Sequence, residues 1–184
     1  MRKLVVTENI TLDGVIDASE GWFSPAGDEE VDQSDIIAAL REQQENADAV
    51  LFGRVTFEEM RGYWPHQTDD ETGVSEYLNR VSKYVVSSTM TDPQWDGSTV
   101  LSGEDEVRRL KEAPGRDIVA TGSIRLVHSL IAAGLVDEYR LFTYPVVVGR
   151  GARLFEDATN VPRLALAGSQ AFNSGVVLTR YAAR

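Results

Sequence analysis

Three short stretches carry the side chains best suited to holding a phosphorylated ligand: Phe52-Gly53-Arg54-Val55-Thr56, Val86-Ser87-Ser88-Thr89 and Ala120-Thr121-Gly122-Ser123-Ile124-Arg125. Each ends a short apolar run with glycine or small hydroxyl residues, and two lead directly into helical patterns. In an open α/β sheet, ligands bind at the carboxyl ends of the strands, and the exposed N–H groups of a helix start favour phosphate. Arg54 and Arg125 add cations in an acidic chain. Any one stretch also reads as an ordinary strand-to-helix cap. Three on one edge point to a nucleotide site.

Other chemistries lack their residues. The chain has 184 residues and no cysteine, which removes disulfides, thiolate metal sites and cysteine nucleophiles together. His66 and His128 stand far apart without metal-ligand spacing, so no metal site is expected. There is no nucleophile-elbow motif and no lysine-bearing phosphate loop. Gly149-Arg150-Gly151 half-matches a dinucleotide fingerprint, but Leu154 stands at the third glycine position and a turn is the better reading. The formal charge of −11 argues against nucleic acid and anionic membrane as partners. Glu8 interrupts the N-terminal run before a signal-peptide stretch forms, so the cytosol is the expected compartment.

Positioning these stretches requires an α/β arrangement. Strands are expected at Leu4–Ile10, Asp48–Phe52, Lys83–Ser87, Ser98–Leu101 and Asp117–Thr121, within a total of about eight. Helices fall between them: one from near Ser34, then Thr56–Arg61, 104–112 and Ile124–Ala133, with Gly134 at C′. A Gly-punctuated loop follows Thr11-Leu12-Asp13-Gly14 and runs through Trp22, Pro25 and Gly27, and the acidic run Asp69-Asp70-Glu71 reads as a solvated loop. A long β run at Glu138–Val148, interrupted by Pro145, precedes Arg163–Phe172 and Gly175–Tyr181, which flank the turn Asn173-Ser174-Gly175. The prediction is one domain spanning 1–184. Its mostly parallel central sheet of about eight strands has helices on both faces and an antiparallel C-terminal hairpin.

Phe52-Gly53-Arg54-Val55-Thr56, Ser87-Ser88-Thr89 and Thr121-Gly122-Ser123 resemble the corresponding segments of the dihydrofolate reductase-like family. The similarity is fuller to its bacterial members that include the reductase domain of the bifunctional riboflavin-biosynthesis deaminase/reductase. It rests on Thr11-Leu12-Asp13-Gly14, on Ala47-Asp48-Ala49-Val50-Leu51-Phe52-Gly53-Arg54, and on the block from Gly134-Leu135-Val136-Asp137-Glu138 to Pro145 through Phe155. The resemblance implies NADPH as cofactor. Gly53, Arg54 and Thr56 would meet its pyrophosphate and 2′-phosphate side. Ser87 and Ser88 would meet the adenosine, and Thr121, Gly122, Ser123, Ile124, Arg125 and Leu126 the pyrophosphate and nicotinamide ribose. The loop around Ile10, Asp13 and Gly14 would cover the nicotinamide. Ser123 departs from the family, which has a second glycine there, and so places a side chain where the backbone approaches phosphate.

Hydride transfer asks the protein for alignment, exclusion of water and a proton source. Asp13 is the candidate acid or substrate anchor, or else a turn residue before Gly14. Asp35 is the second candidate, with a solvated helix face as its other reading; Trp22 is the candidate pocket wall. Trp64-Pro65 is expected to pack the second helix. The expected function is NADPH-dependent reduction of a small heteroaromatic, imine or carbonyl compound, either pterin-like or like the phosphorylated ribosylamino-pyrimidine of riboflavin synthesis. Arg150 and Arg153 are candidate phosphate anchors for the latter. The alternatives are a non-catalytic nucleotide-binding protein and an interaction domain with a degenerate site. Large apolar residues alternate onto both faces of 138–148, which predicts a two-fold homodimer through 138–148 and 175–181.

Overall fold

The structure, a computed structural model, describes residues 1–23, 31–156 and 161–184. Pro25 and Gly27, expected in the first long loop, lie outside the described residues. The strands are β1 (Leu4–Thr11), β2 (Ala47–Gly53), β3 (Ser82–Val86), β4 (Ser98–Leu101), β5 (Asp117–Thr121), β6 (Glu138–Tyr144), β7 (Leu164–Ala171) and β8 (Val177–Ala183). They form one eight-stranded sheet in the order β4-β3-β2-β5-β1-β6-β8-β7. The pairs from β4 through β6 are parallel, while β8 pairs antiparallel with both β6 and β7. The expected architecture is therefore present, including the antiparallel finish.

Five α-helices cover the two faces: α1 (Ser34–Asn46), α2 (Arg54–Tyr63), α3 (Val74–Arg80), α4 (Glu104–Glu112) and α5 (Ile124–Ala132). Strand β2 shows why both faces must be covered. Its Ala49 and Leu51 pack with Val107 of α4 and Leu126, Val127 and Leu130 of α5, whereas Val50 and Phe52 pack with Phe57 of α2 and Leu78 of α3. A strand buried on both faces reads as a continuous apolar run, which is what 49–52 is. Helix α5 ends as its sequence predicts. Gly134 takes φ +63°, its N–H bonds to the Ile131 carbonyl, and the Leu135 N–H bonds to the Leu130 carbonyl.

Two segments differ from expectation. The acidic stretch near 70 leads into α3, a seven-residue helix too short to show periodicity. The Asp70 carboxylate organises its start by accepting the Thr72 and Ser75 N–H groups, and the Ser75 hydroxyl donates to the Trp64 carbonyl at 2.7 Å. The β run expected through Val148 stops at Tyr144, where Pro145 ends the ladder. Both faces of β6 are also covered inside the chain: Phe142 stacks on Phe172, and Tyr139 meets Phe155 edge-on. The alternation of β6 is therefore no argument for a partner.

Burial separates core leucines from surface ones. Leu130 is fully buried beneath α5, and Leu166 of β7 is 61% exposed. In urea denaturation Leu130→Ala is expected to lose about 2–5 kcal/mol by cavity formation, and Leu166→Ala less than about 0.5 kcal/mol in the monomer.

Candidate functional site

The carboxyl edge of the sheet is assembled around one reciprocal connection between β2–α2 and β5–α5. The Gly53 N–H donates to Ser123 Oγ at 2.9 Å, and the Ser123 N–H donates to Thr56 Oγ1 at 3.0 Å. Close approach dictates the residue types. A Cβ on Gly122 would lie 3.2 Å from Thr56 Cγ2, and both Gly122 and Ser123 hold positive φ, +57° and +53°. Left-handed backbone at a serine is strained, and the fixed hydrogen bonds on both its sides hold it. The Ser123 side chain thus turns into the β2–α2 junction rather than out toward a ligand.

This connection leaves two helix starts open. Neither α2 nor α5 has a side-chain cap or an acidic residue in its first turn. Helix α4, which starts at the same edge, carries Glu104, Asp105 and Glu106 there, and Glu106 accepts the Ser102 N–H and hydroxyl. Free first-turn amides and the positive end of the helix dipole make α2 and α5 suited to an anion, whereas α4 neutralises its own start.

The predicted contacts divide into those facing this edge and those supporting it. Arg54, Ser88 and Arg125 are exposed, and Gly122 and Ile124 are half-buried. Arg54 is held by Glu58 at 2.8 Å, a pair that an incoming phosphate must displace. Ser87 Oγ accepts the Thr89 and Met90 N–H groups and shapes the turn after β3. Gly53, Thr56 and Ser123 form the connection itself. Ile10 and Leu126 lie within the core, at 7% and 8% exposure, and support the edge from below. Gly14, at φ +84°, closes the turn after β1 through its N–H to the Thr11 carbonyl.

Glu8 belongs to this site and was missed in the sequence. It is 4% exposed in β1, its Oε2 accepts the Gly122 N–H at 3.1 Å, and its Oε1 has no partner among the described residues. Burial pushes the carboxyl well above its ordinary range, against the lowering effect of the Gly122 N–H. The available signal was the one charged residue within a buried strand. Ionising Glu8 opposes folding, so the penalty is absent below the unfolded value near 4.5 and grows as pH rises toward the folded value. Glu8→Gln keeps an acceptor for Gly122 and cannot ionise. Its Tm is expected to be close to wild type at pH 4 and to exceed it at pH 8. A wild type more stable than the variant at pH 8 would show an ionised, favourably paired Glu8.

Beside this edge, between α1 and the sheet, lies a cavity of about 280 Å3. Thr121 lines it and precedes Gly122, so cavity and helix starts adjoin. Phe23 and Tyr144 line its mouth. Trp22 packs edge-on to Tyr144 at 5.6 Å and donates to the Asp17 carbonyl, so it backs the wall rather than forming it. Trp64, expected only to pack α2, lines the cavity as well.

Neither proposed catalytic carboxylate reaches the cavity. Asp13 accepts the Thr11 hydroxyl at 2.7 Å and the Gly149 N–H at 2.8 Å, with a longer bond from Val148 N–H. The Thr11 and Gly149 donors hold its carboxyl below the usual range, and its hydrogen bonds clasp the end of β1 to the 145–151 turn. Asp35 accepts the Asn173 N–H at 2.8 Å and ties α1 to the β7–β8 turn. The two arginines considered as phosphate anchors are similarly engaged: Arg150 pairs with Glu20, and Arg153 donates to the Asp13 carbonyl.

The chain belongs to the RibD C-terminal domain family, whose model matches residues 2–178. It is 32% identical to the uncharacterized protein YyaP of Bacillus subtilis, over 98% of this chain and 94% of that one. With the uncharacterized protein YwjB of the same organism it shares 28% identity, over 96% of each. The fold is that of a putative riboflavin biosynthesis protein from Shewanella (TM-score 0.72, 20% identity, 99% of both chains). It also matches a pyrimidine reductase-like protein from Corynebacterium diphtheriae (TM-score 0.64, 16% identity, 100% of this chain and 92% of that one). The protein therefore has the dihydrofolate reductase-like fold of the RibD C-terminal domain family.

Proposed function

We propose that the protein is an NADPH-dependent reductase of a small heteroaromatic, imine or carbonyl compound. The observation that carries this reading is the pair of uncapped helix starts, α2 and α5, joined through Gly53, Thr56 and Ser123 and adjoining a cavity of about 280 Å3. The residues present fit a dinucleotide. First-turn amides of both helices suit the pyrophosphate, Arg54 the 2′-phosphate, and exposed Ser88 and Arg125 the flanks of the groove. A reduced nicotinamide supplies a hydride when bound. The chain's own part is to seat the acceptor against Thr121 and to exclude water with Phe23, Tyr144 and Trp64.

A second reading, a nucleotide-binding protein without turnover, draws on the lack of a carboxyl, histidine or lysine in the cavity lining among the described residues. Fluorescence titration tests the common part. NADPH is expected to bind more tightly than NADH, and Arg54→Ala to weaken NADPH about tenfold or more. No binding of either nucleotide at millimolar concentration would end both readings; turnover separates them.

For assembly, we propose a two-fold homodimer in which β7 and β8 meet their counterparts. Strand β7 is the sheet edge, Leu166 is 61% exposed, and Leu164 and Tyr181 are only partly covered. Light scattering is expected to give twice the chain's 20.3 kDa, returning to the single mass in Leu166→Glu. A single mass for wild type would exclude the dimer.

A further inference from the structure

The cavity has aliphatic and aromatic walls, among them Ile36, Leu40, Phe52 and Phe142, over a floor where β1 and β5 present Thr7, Asn9 and Thr121. Among the described residues, its lining holds no Asp, Glu, Lys, Arg or His. The two phenols in the lining, Tyr77 and Tyr144, are pushed up to about 12 by burial, so both are neutral at physiological pH. What polarity remains is hydroxyl and carboxamide. Thr7 Oγ1 donates to Gln43 Oε1 at 2.7 Å, which fixes the Gln43 amide and leaves its nitrogen as a donor to a ligand. The neighbouring carboxylate of Asp35 is turned outward to Asn173, and Arg150 and Arg153 are committed to the 13–20 segment.

An ion entering such a space leaves water for a site with no counter-charge among the described residues, which is strongly unfavourable, while a neutral carbonyl or ring amide exchanges water for the donors already there. The formal charge of −11 adds repulsion against anions. The volume of about 280 Å3 suits a flat molecule of one or two rings. We infer that this cavity selects a neutral planar ring compound bearing a carbonyl or ring amide and rejects its carboxylated, phosphorylated or cationic analogues. As the identity of a hydride acceptor this rests on the reductase reading; as a binding preference it does not.

The test is calorimetric titration of the full chain, without nucleotide, with three compounds of one ring size: 2-quinolone, its 4-carboxylate and N-methylquinolinium. The neutral compound is expected to bind about tenfold or more tightly than either ion. Leu40→Trp, which fills the cavity, should abolish that binding, and Gln43→Arg should shift preference toward the carboxylate. Far-ultraviolet circular dichroism confirms that each variant is folded. An ion binding as tightly as 2-quinolone, no binding of 2-quinolone at millimolar concentration, or binding indifferent to a folded Leu40→Trp overturns the inference. Selective 2-quinolone binding in a protein that binds neither NADPH nor NADH supports the inference and removes the reductase and nucleotide-binding readings.

Discussion

The exchange between Gly53, Ser123 and Thr56 governs what the carboxyl edge of the sheet can do. It consumes the one side chain, Ser123 Oγ, that stands where α5 would take its cap, and it uses the Thr56 hydroxyl of the first turn of α2. Both helices are thereby brought together with their first-turn amides free. A family position that ordinarily keeps two glycines tolerates serine here because the side chain has somewhere to go: inward, onto the Gly53 amide. Glu8 completes the arrangement from beneath by accepting the Gly122 N–H, and its other oxygen has no partner among the described residues.

The acidic side chains follow the same division of labour. Asp13, Asp35 and Asp70 are each spent on backbone N–H groups that fix a loop or a helix start. The ligand cavity is left without charge among the described residues, in a protein with a formal charge of −11. Charge organises the rim of the site, and apolar packing with neutral polar groups forms its interior.

The sheet, its strand ends and the three stretches at the carboxyl edge were legible because short apolar runs broken by glycine and hydroxyl residues leave a strong local pattern. The family resemblance carried the order of the elements. The parts that were not legible depend on contacts far apart in sequence. The role of Asp13 is set by Val148 and Gly149, and that of Asp35 by Asn173, so each could be read only as a carboxylate in a loop or at a helix start. Helix α3 depends on Asp70 and Ser75 reaching back to the backbone near Trp64, which leaves no periodic trace. The neutral cavity is a property of side chains from seven different α-helices and strands and has no signature in any one of them.

The central claim is that the joined starts of α2 and α5 form the nucleotide site. Nuclear magnetic resonance reports on it amide by amide, through a titration of the nitrogen-15-labelled protein with NADPH. The account predicts the largest shifts at the amides of Arg54, Val55, Gly122, Ile124 and Arg125, with those of α4 residues 104–106 little changed. Shifts concentrated at the start of α4 or at the opposite edge of the sheet, with 54–55 and 122–125 unmoved, would contradict it.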